Sequence, residues 1–232
     1  EYQIVDIDSQ SELEPEADSL SEDVKLASLT PSVEWDNRDD LLNPRRGILA
    51  TLSAEYAFPG FAAEAHFLKL QASGSVYGKL PWGSGAAGLR VGVIEPLPGG
   101  LEGSELEQVP ISSRFFAGGG STHRAFAEDT LGVPGETLNQ EGEPIGGNAM
   151  VLLNLEYHRV LRGPVMGVLF VDGGNVFLDA SRIRWGDMRW GVGVGLRLDT
   201  PAGPVRLEYG RKIDRAEGES SGEIFLAFGV PF

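Results

Sequence analysis

The sequence predicts an all-β fold in which antiparallel strands form a transmembrane β-barrel. Apolar and polar residues alternate with a period of two along most of the chain, and we find no amphipathic helix longer than a turn or two. Long and short connections between the strands follow one another in turn. Glycine accounts for 32 of the 232 residues and aromatic residues for 9%, which favours strands and turns over helices.

The alternation defines individual strands with one apolar face. Between Trp190 and Asp199, bulky apolar side chains occupy every second position, and glycine or charged residues occupy the others. The other face of the predicted strands carries charge: Glu55, Arg90, Glu156, Arg197, Asp199, Arg206 and Glu208. The pattern predicts about ten strands, at 2–8, 24–38, 46–58, 65–80, 85–95, 148–160, 163–177, 188–200, 203–213 and 222–232.

The lengths of the connections favour a membrane barrel over a soluble one. Tight turns such as "PWGS", "LRG" and "PAG" alternate with longer segments, of which residues 96–147 are by far the longest. Outer-membrane barrels have this asymmetry, with short periplasmic turns and long extracellular loops. Aromatic residues near strand ends, among them Trp190, Tyr209, Tyr157 and Phe58, suit an interfacial girdle. Alternation alone leaves a soluble barrel as the alternative.

Composition excludes several classes of function. The formal net charge of −15 and the pI near 4.6 disfavour nucleic-acid binding. Nine acids and no Lys or Arg lie in residues 1–23, a pattern that we interpret as a solvated acidic loop rather than a calcium site. Without cysteine the chain has no disulfide and no thiolate metal site. It does not begin with Met and has no signal peptide, so we expect a mature or truncated product.

The segment "RFFAGGGSTHRAFAEDTLG" (114–132) places three glycines beside His123 and Arg124. It is not a P-loop, since it lacks the Gly-Lys-Ser/Thr sequence and a following helix. His123 suggests a hydrolytic triad, but the chain has no G-x-S-x-G elbow, and its three histidines lack the spacing of metal ligands. We therefore expect no enzyme activity, no metal and no cofactor, with a barrel hydrolase left as an alternative.

Four segments resemble the BamA/TamA superfamily of outer-membrane assembly proteins, in the C-terminal part of its barrel. They are "WDNRDDLLNPRRG" (35–47), "FFAGGGSTHRAF" (115–126), "FVDGGNVF" (170–177) and "DTPAGPVRLEYGRKI" (199–213) followed by a last strand that ends at Phe232. The matches cover most of residues 33–232 in the family's order. Since the family barrel has about sixteen strands, the resemblance implies that residues 1–232 are the C-terminal portion of a larger barrel. A small barrel of ten strands that closes on itself is the alternative.

The resemblance implies that the loop 96–147 folds into the barrel lumen and acts as a lock. Arg124 is expected to engage the strand that carries Phe170, Asp172 and Gly174, and Gly174 is expected to let the loop approach the wall. The turn back into the lumen would use Gly118 and Gly119, and Phe126 would complete the motif. The chain departs from the family pattern in having His123 before the Arg and Ala125 after it. A positive φ at Ala125 would cost roughly 1 kcal/mol relative to Gly.

The resemblance also implies a function. Family members assist the insertion, assembly or translocation of proteins at the bacterial outer membrane, through a seam between the first and last strands where a client strand pairs. Here the last strand would be bracketed by Gly222 and Gly229, which would loosen its pairing, and would carry Phe228 and Phe232. The expected partners are the lipid bilayer, unfolded outer-membrane protein clients, and periplasmic domains or accessory subunits. A two-partner-secretion or passive pore, and a membrane anchor for an upstream enzyme, are the alternatives.

Overall fold

The structure is a computed structural model that describes residues 25–60, 63–201, 203–216 and 218–231. The predicted strand 2–8 lies outside these residues. Among the described residues no helix has the length and apolar character needed to cross a membrane. The strands are β1 (Ser28–Leu29), β2 (Ser32–Asp36), β3 (Gly47–Ala57), β4 (Phe67–Leu80), β5 (Gly83–Pro96), β6 (Ala149–Arg162), β7 (Val165–Phe177), β8 (Arg189–Leu198), β9 (Val205–Lys212) and β10 (Gly222–Phe228).

All ten strands belong to one antiparallel sheet, which confirms the predicted fold class. From β3 to β10 each strand pairs with the next strand in sequence. Both β1 and β2 pair with β3, in the same register on either side of Thr30 and Pro31. The prediction of one continuous strand over 24–38 is therefore wrong. Pro31 has no N–H to donate to the ladder, and the segment divides there.

The last strand is shorter than the predicted 222–232. It ends at Phe228 because Gly229 takes a φ of +87°, which turns the chain out of the extended conformation. The Gly229 N–H donates to Pro204 O at 2.8 Å, in the turn before β9. Phe232 lies outside the described residues. The other predicted strands from 46 to 213 agree with β3–β9 to within about three residues.

The sheet has one apolar exposed face and one polar buried face. The exposed positions include Leu52, Leu70, Val76, Leu155, Leu169, Val192, Val194, Leu196, Leu207, Ile224 and Leu226. The buried face carries most of the buried charges: Glu156, Asp172, Arg197, Arg206, Glu208 and Lys212. This arrangement is the reverse of a soluble barrel and suits a wall with lipid outside and a polar lumen inside.

The sheet is strongly curved, and its concave side is filled. The Asn43 side chain, in the turn before β3, donates to Asp199 Oδ2 at 2.8 Å across 156 residues of sequence. Arg90 of β5 donates to Pro231 O at 3.1 Å, beyond the end of β10. The core lies between this curved wall and the segment 97–148, here called the long loop. It contains the loop residues Val109, Phe115, Ala117, Ala125, Phe126 and Leu131, packed with wall residues that include Phe67 and Leu152.

Successive connections lie at alternate ends of the sheet, and they sort by length only in part, since 37–46 at one end is one residue longer than 58–66 and 213–221 at the other. One end carries the turns at 37–46, 81–82, 163–164 and 199–204, here called the turn end. The other carries the segments 58–66, 97–148, 178–188 and 213–221, here called the loop end. Asp39 and Asp40 structure the turn at 37–46 by accepting backbone N–H bonds, so these acids have a local role there.

A charge on the exposed face tests whether this face meets lipid. Val194 lies in the middle of β8 and is 55% exposed. In phospholipid vesicles, Val194→Arg should lower the free energy of unfolding by about 2–4 kcal/mol, measured by guanidinium titration of the refolded protein. Val194→Leu is the matched control and should behave as wild type. Equal stability of the Arg variant would contradict a lipid-facing wall.

Candidate functional site

The tip of the long loop is a compact, hydrogen-bonded turn that carries Arg124 to the wall. Gly118 and Gly119 have φ values of +118° and +96°, which L side chains rarely adopt. The Thr122 hydroxyl donates to Gly118 O at 2.6 Å and accepts from Gly118 N–H at 2.9 Å. Gly119 N–H then donates to Phe126 O at 2.9 Å. These bonds lie within the tip itself and give it a defined shape.

Arg124 forms three hydrogen bonds to Asp172 of β7. Its Nη2 and Nε donate to Asp172 Oδ1 and Oδ2 at 2.8 and 2.9 Å, and its backbone N–H donates to Oδ2 at 2.9 Å. The two side chains are 1% and 0% exposed. A paired fork of this kind in a water-poor site is stronger and more directional than a surface ion pair.

Two neighbours on the wall hold this pair in place. The Arg124 guanidinium stacks on the Phe170 ring, 3.7 Å from its centroid. Asn154 of β6, opposite Asp172 in the register, donates to Asp172 Oδ1 at 2.9 Å and to Thr122 O at 2.7 Å. One amide group therefore bonds the wall carboxylate and the loop backbone together.

The charges continue across β6, β8 and β9 in what we call the loop–wall cluster: Arg124, Asp172, Glu156, Glu208, Arg197 and Arg206. Arg124 Nη1 donates to Glu156 and lies 3.5 Å from Glu208 Oε1. Arg197 bridges the two glutamates, at 3.3 Å from Glu156 and 3.2 Å from Glu208. Arg206 pairs with Glu208 at 2.8 Å and donates to Gly120 O of the loop at 3.3 Å. Three guanidinium groups thus face three carboxylates, as buried charges require.

The two basic residues at the loop tip carry different charges. Burial opposes the charge of Arg124, but its hydrogen bonds to Asp172 and the charges of Glu156, Asp172 and Glu208 outweigh burial and raise the Arg124 pKa above its ordinary value. Burial lowers the pKa of His123, so its ring is neutral at neutral pH. Only Arg124 brings positive charge from the loop tip into the cluster.

Glycines on β8 and β9 give the loop its room, a role that the sequence analysis did not assign. A Cβ on Gly210 would lie 2.1 Å from Arg124 O, and one on Gly191 would lie 2.5 Å from Ala125 Cβ. A Cβ on Gly193 would overlap the Phe170 ring. The Gly-x-Gly-x-Gly run in β8 was the available signal. A Cβ on Gly174 would instead meet Val151 O of β6, so the loop approach expected there occurs at Gly191 and Gly210.

The residues that flank Arg124 explain the departures from the family pattern. Ala125 is fully buried and is absent from the described non-glycine residues with positive φ, Trp82 and Asp129. It therefore carries no left-handed strain, and its methyl group faces Gly191. His123 packs edge-on against Phe126, with ring centroids 4.9 Å apart, and Lys212 lies 4.3 Å from the Phe126 centroid. His123 thus fills an aromatic packing position.

Candidate seam residues lie at the last strand. Gly222 pairs with Arg211, and a Cβ there would be 2.1 Å from Gly210 O, so glycine allows close strand approach at this point. Phe228 pairs with Val205 and is 62% exposed. Gly229 follows the end of β10. That Gly222 and Gly229 loosen the pairing of β10 remains a prediction.

The geometry of the loop–wall cluster suits a clamp. Its charges are neutralised by one another, and each acid accepts bonds from arginine. His123 Nε2 contacts the Arg189 backbone carbonyl at 3.2 Å rather than a hydroxyl or a carboxylate. Within the described ranges no group of three His, Cys, Asp or Glu residues has the arrangement of a metal site.

Comparison with known proteins finds one superfamily model and relatives from the outer membranes of bacteria and the outer envelope of chloroplasts. A model of the Omp85 superfamily domain matches residues 1–230. The outer membrane protein assembly factor BamA of Nitratidesulfovibrio vulgaris is 32% identical over 130 residues, which are 53% of this chain and 16% of that protein. The chloroplastic outer envelope protein 80 of Arabidopsis thaliana is 35% identical over 109 residues, which are 43% of this chain and 14% of that protein.

A solved structure shares the fold. The crystal structure of BamA from Haemophilus ducreyi lacking POTRA domains 1-3 aligns with a TM-score of 0.68 at 21% identity, over 87% of this chain and 42% of that one. The chain therefore spans less than half the length of each of these relatives. With a family model that matches nearly every residue and a barrel that aligns with its sheet, the chain belongs to the Omp85 superfamily, as part of an outer-membrane β-barrel.

Proposed function

We propose that this barrel inserts or translocates proteins at the outer membrane, by way of a seam beside its last strand. The observation that carries the proposal is membership of the Omp85 superfamily over residues 1–230. One relative is named as an outer membrane protein assembly factor. The proposed partners are lipid, unfolded outer-membrane protein clients, and periplasmic domains or accessory subunits. The barrel itself has no catalytic role and no cofactor in this proposal.

The lengths of the strands support a weak seam at β10. From β6 to β10 the strands have 14, 13, 10, 8 and 7 residues. The ladder therefore loses hydrogen bonds steadily toward the C-terminal edge, and Gly229 stops it. Within the described residues nothing pairs with the far side of β10. Because unpaired backbone groups are costly in lipid, such an edge favours pairing with another strand, and a client strand can supply it.

Contacts of the long loop support a coupling between the loop and this seam. Gly120, at the loop tip, lies against Phe225 of β10. The same Gly120 carbonyl accepts from Arg206 on β9, and Arg206 belongs to the loop–wall cluster. A displacement of β10 would therefore break the contact between Gly120 and Phe225, while the bond from Arg206 to Gly120 can remain. We infer that the clamp at Arg124 fixes the loop while the β10 edge exchanges partners.

A reversible cross-link between the loop and β10 tests this function. A Cβ on Gly120 would lie 3.5 Å from Phe225 Cβ, within the spacing of about 3.5–4.5 Å that a disulfide spans, and this chain has no cysteine of its own. In a strain that depends on the full-length protein, oxidised Gly120→Cys/Phe225→Cys should reduce the level of several unrelated outer-membrane proteins, measured by quantitative proteomics. A reductant should restore these levels.

The two single-cysteine variants under the same oxidant are the controls and should match wild type. Unchanged levels in the oxidised double variant would contradict a moving β10. Loss of only one secreted substrate would instead favour a two-partner-secretion pore. Loss of a hydrolytic activity, with assembly intact, would favour the anchor of an upstream enzyme.

Replacement of a wall glycine tests the seat of the loop separately. Gly210→Ala brings a methyl group against the Arg124 carbonyl and should lower the free energy of unfolding by about 1–3 kcal/mol through overpacking. It should also expose the loop to protease added outside intact cells. Gly120→Ala is the matched control, since its Cβ would make ordinary contacts at 3.5 Å. A Gly210→Ala barrel with wild-type stability and protection would contradict the seat described here.

A further inference from the structure

An apolar groove lies on the exposed face of the sheet, across β4, β5, β6 and β7. Its volume is about 520 Å³, within the range of roughly 300–1,000 Å³ that is usual for small-molecule sites. The side chains around it are almost entirely aliphatic or aromatic, and they include Val76, Leu80, Ala87, Leu155, Tyr157 and Leu169. These strands are in the middle of the sheet, far from the β10 edge.

Two facing glycines form the floor of the groove. Gly78 of β4 pairs with Gly85 of β5, and the same row continues through Tyr157 and Leu169. Gly78 brings no side chain to this row and so leaves a depression in an otherwise apolar wall. A Cβ on Gly78 would have no atom within 4 Å, so the space above it is open.

The groove is bounded near the turn end. The Leu80 side chain lies over Gly85, where a Cβ would be 2.5 Å from Leu80 Cδ1. The Tyr157 ring lies over Gly83, and its hydroxyl donates to Pro81 O at 3.0 Å. The one polar atom of the Tyr157 side chain is therefore already bonded, and an occupant of the groove meets hydrocarbon.

Two arginines lie just beyond this boundary. Arg159 is two residues after Tyr157 on the same face of β6, and Arg162 ends the strand. Both side chains are exposed, and in the part of the chain that the structure describes neither forms a hydrogen bond or an ion pair. Exposed guanidinium groups of this kind suit a phosphate.

We propose that the groove binds one phospholipid, with an acyl chain over Gly78, beside the Leu80 side chain, and the phosphate on Arg159. The exposed face of the sheet lies in the membrane, so lipid reaches the groove from the side. A polypeptide is a poor occupant, because β4–β7 are paired on both edges and the groove offers no free backbone group to satisfy its N–H and C=O groups. The phosphate places the headgroup at the turn end.

Filling the groove tests the acyl-chain half of the site. Full-length protein is placed in nanodiscs of phosphatidylethanolamine and phosphatidylglycerol, extracted with detergent, and weighed intact by native mass spectrometry. Wild type should keep one phospholipid through washing. Gly78→Leu should lower this retention by about tenfold or more, since the new side chain occupies the space of the acyl chain. Gly74→Leu is the matched control. Gly74 lies on the same face of β4 as Gly78, on the other side of Val76, and a Cβ there would also have no atom within 4 Å.

Removing the cation tests the headgroup half. Arg159→Gln should weaken retention by about tenfold, as expected for the loss of a charged hydrogen bond to phosphate. Arg211→Gln, an exposed arginine on the same face of the sheet but near the loop end of β9, should not. Equal retention in Gly78→Leu and Gly74→Leu would overturn the groove site. Unchanged retention in Arg159→Gln would overturn the phosphate assignment, and a retained peptide mass would overturn phospholipid as the occupant.

Discussion

The buried charge of Arg124 is the constraint on which the rest of the structure depends. A guanidinium that is 1% exposed needs carboxylates, and the carboxylates of Asp172, Glu156 and Glu208 need a cation in the same place. Removing one partner of such a set costs about 3–5 kcal/mol, because the remaining charges are left buried without compensation. The long loop is thereby held against four strands, and its apolar residues fill the concave side of the sheet. The core between loop and wall is formed in that position.

The sheet has the long loop on its concave side and lipid on its exposed side. Glycines lie where either surrounding needs room that a side chain would fill. On the concave side, Gly191, Gly193 and Gly210 admit the loop and the Phe170 ring. On the exposed side, Gly78 leaves a depression among aliphatic residues. Glycine thus allows close packing on the concave side and leaves a groove on the exposed side. In the function proposed above, a fixed loop and a short last strand divide the barrel into a rigid part and an exchangeable edge.

The sequence predicted the faces of the sheet well because a period of two directly reports which side of a strand a residue occupies. Strands β3–β9 agree with the structure, and the sorting of long and short connections agrees in part, with the connection 37–46 as the exception. Periodicity could not find the break at Pro31 or the end of β10 at Gly229, since both depend on a single backbone position. Arg124, Phe170 and Asp172 were identified by resemblance. The roles of Arg197, Glu208 and Gly210 depend on the register of β8 against β9, which cannot be read from the sequence.

A double-mutant cycle on Arg124 and Asp172 tests most directly whether their contact seats the loop. The free energy of unfolding is measured in vesicles for wild type, Arg124→Ala, Asp172→Ala and the double variant. Groups in direct contact usually show coupling of about 0.5–3 kcal/mol, and the paired fork described here predicts a value near the upper end, about 2–3 kcal/mol. Additive effects, with coupling below about 0.5 kcal/mol, would mean that the loop is held by its apolar packing and that the buried charges do not determine its position.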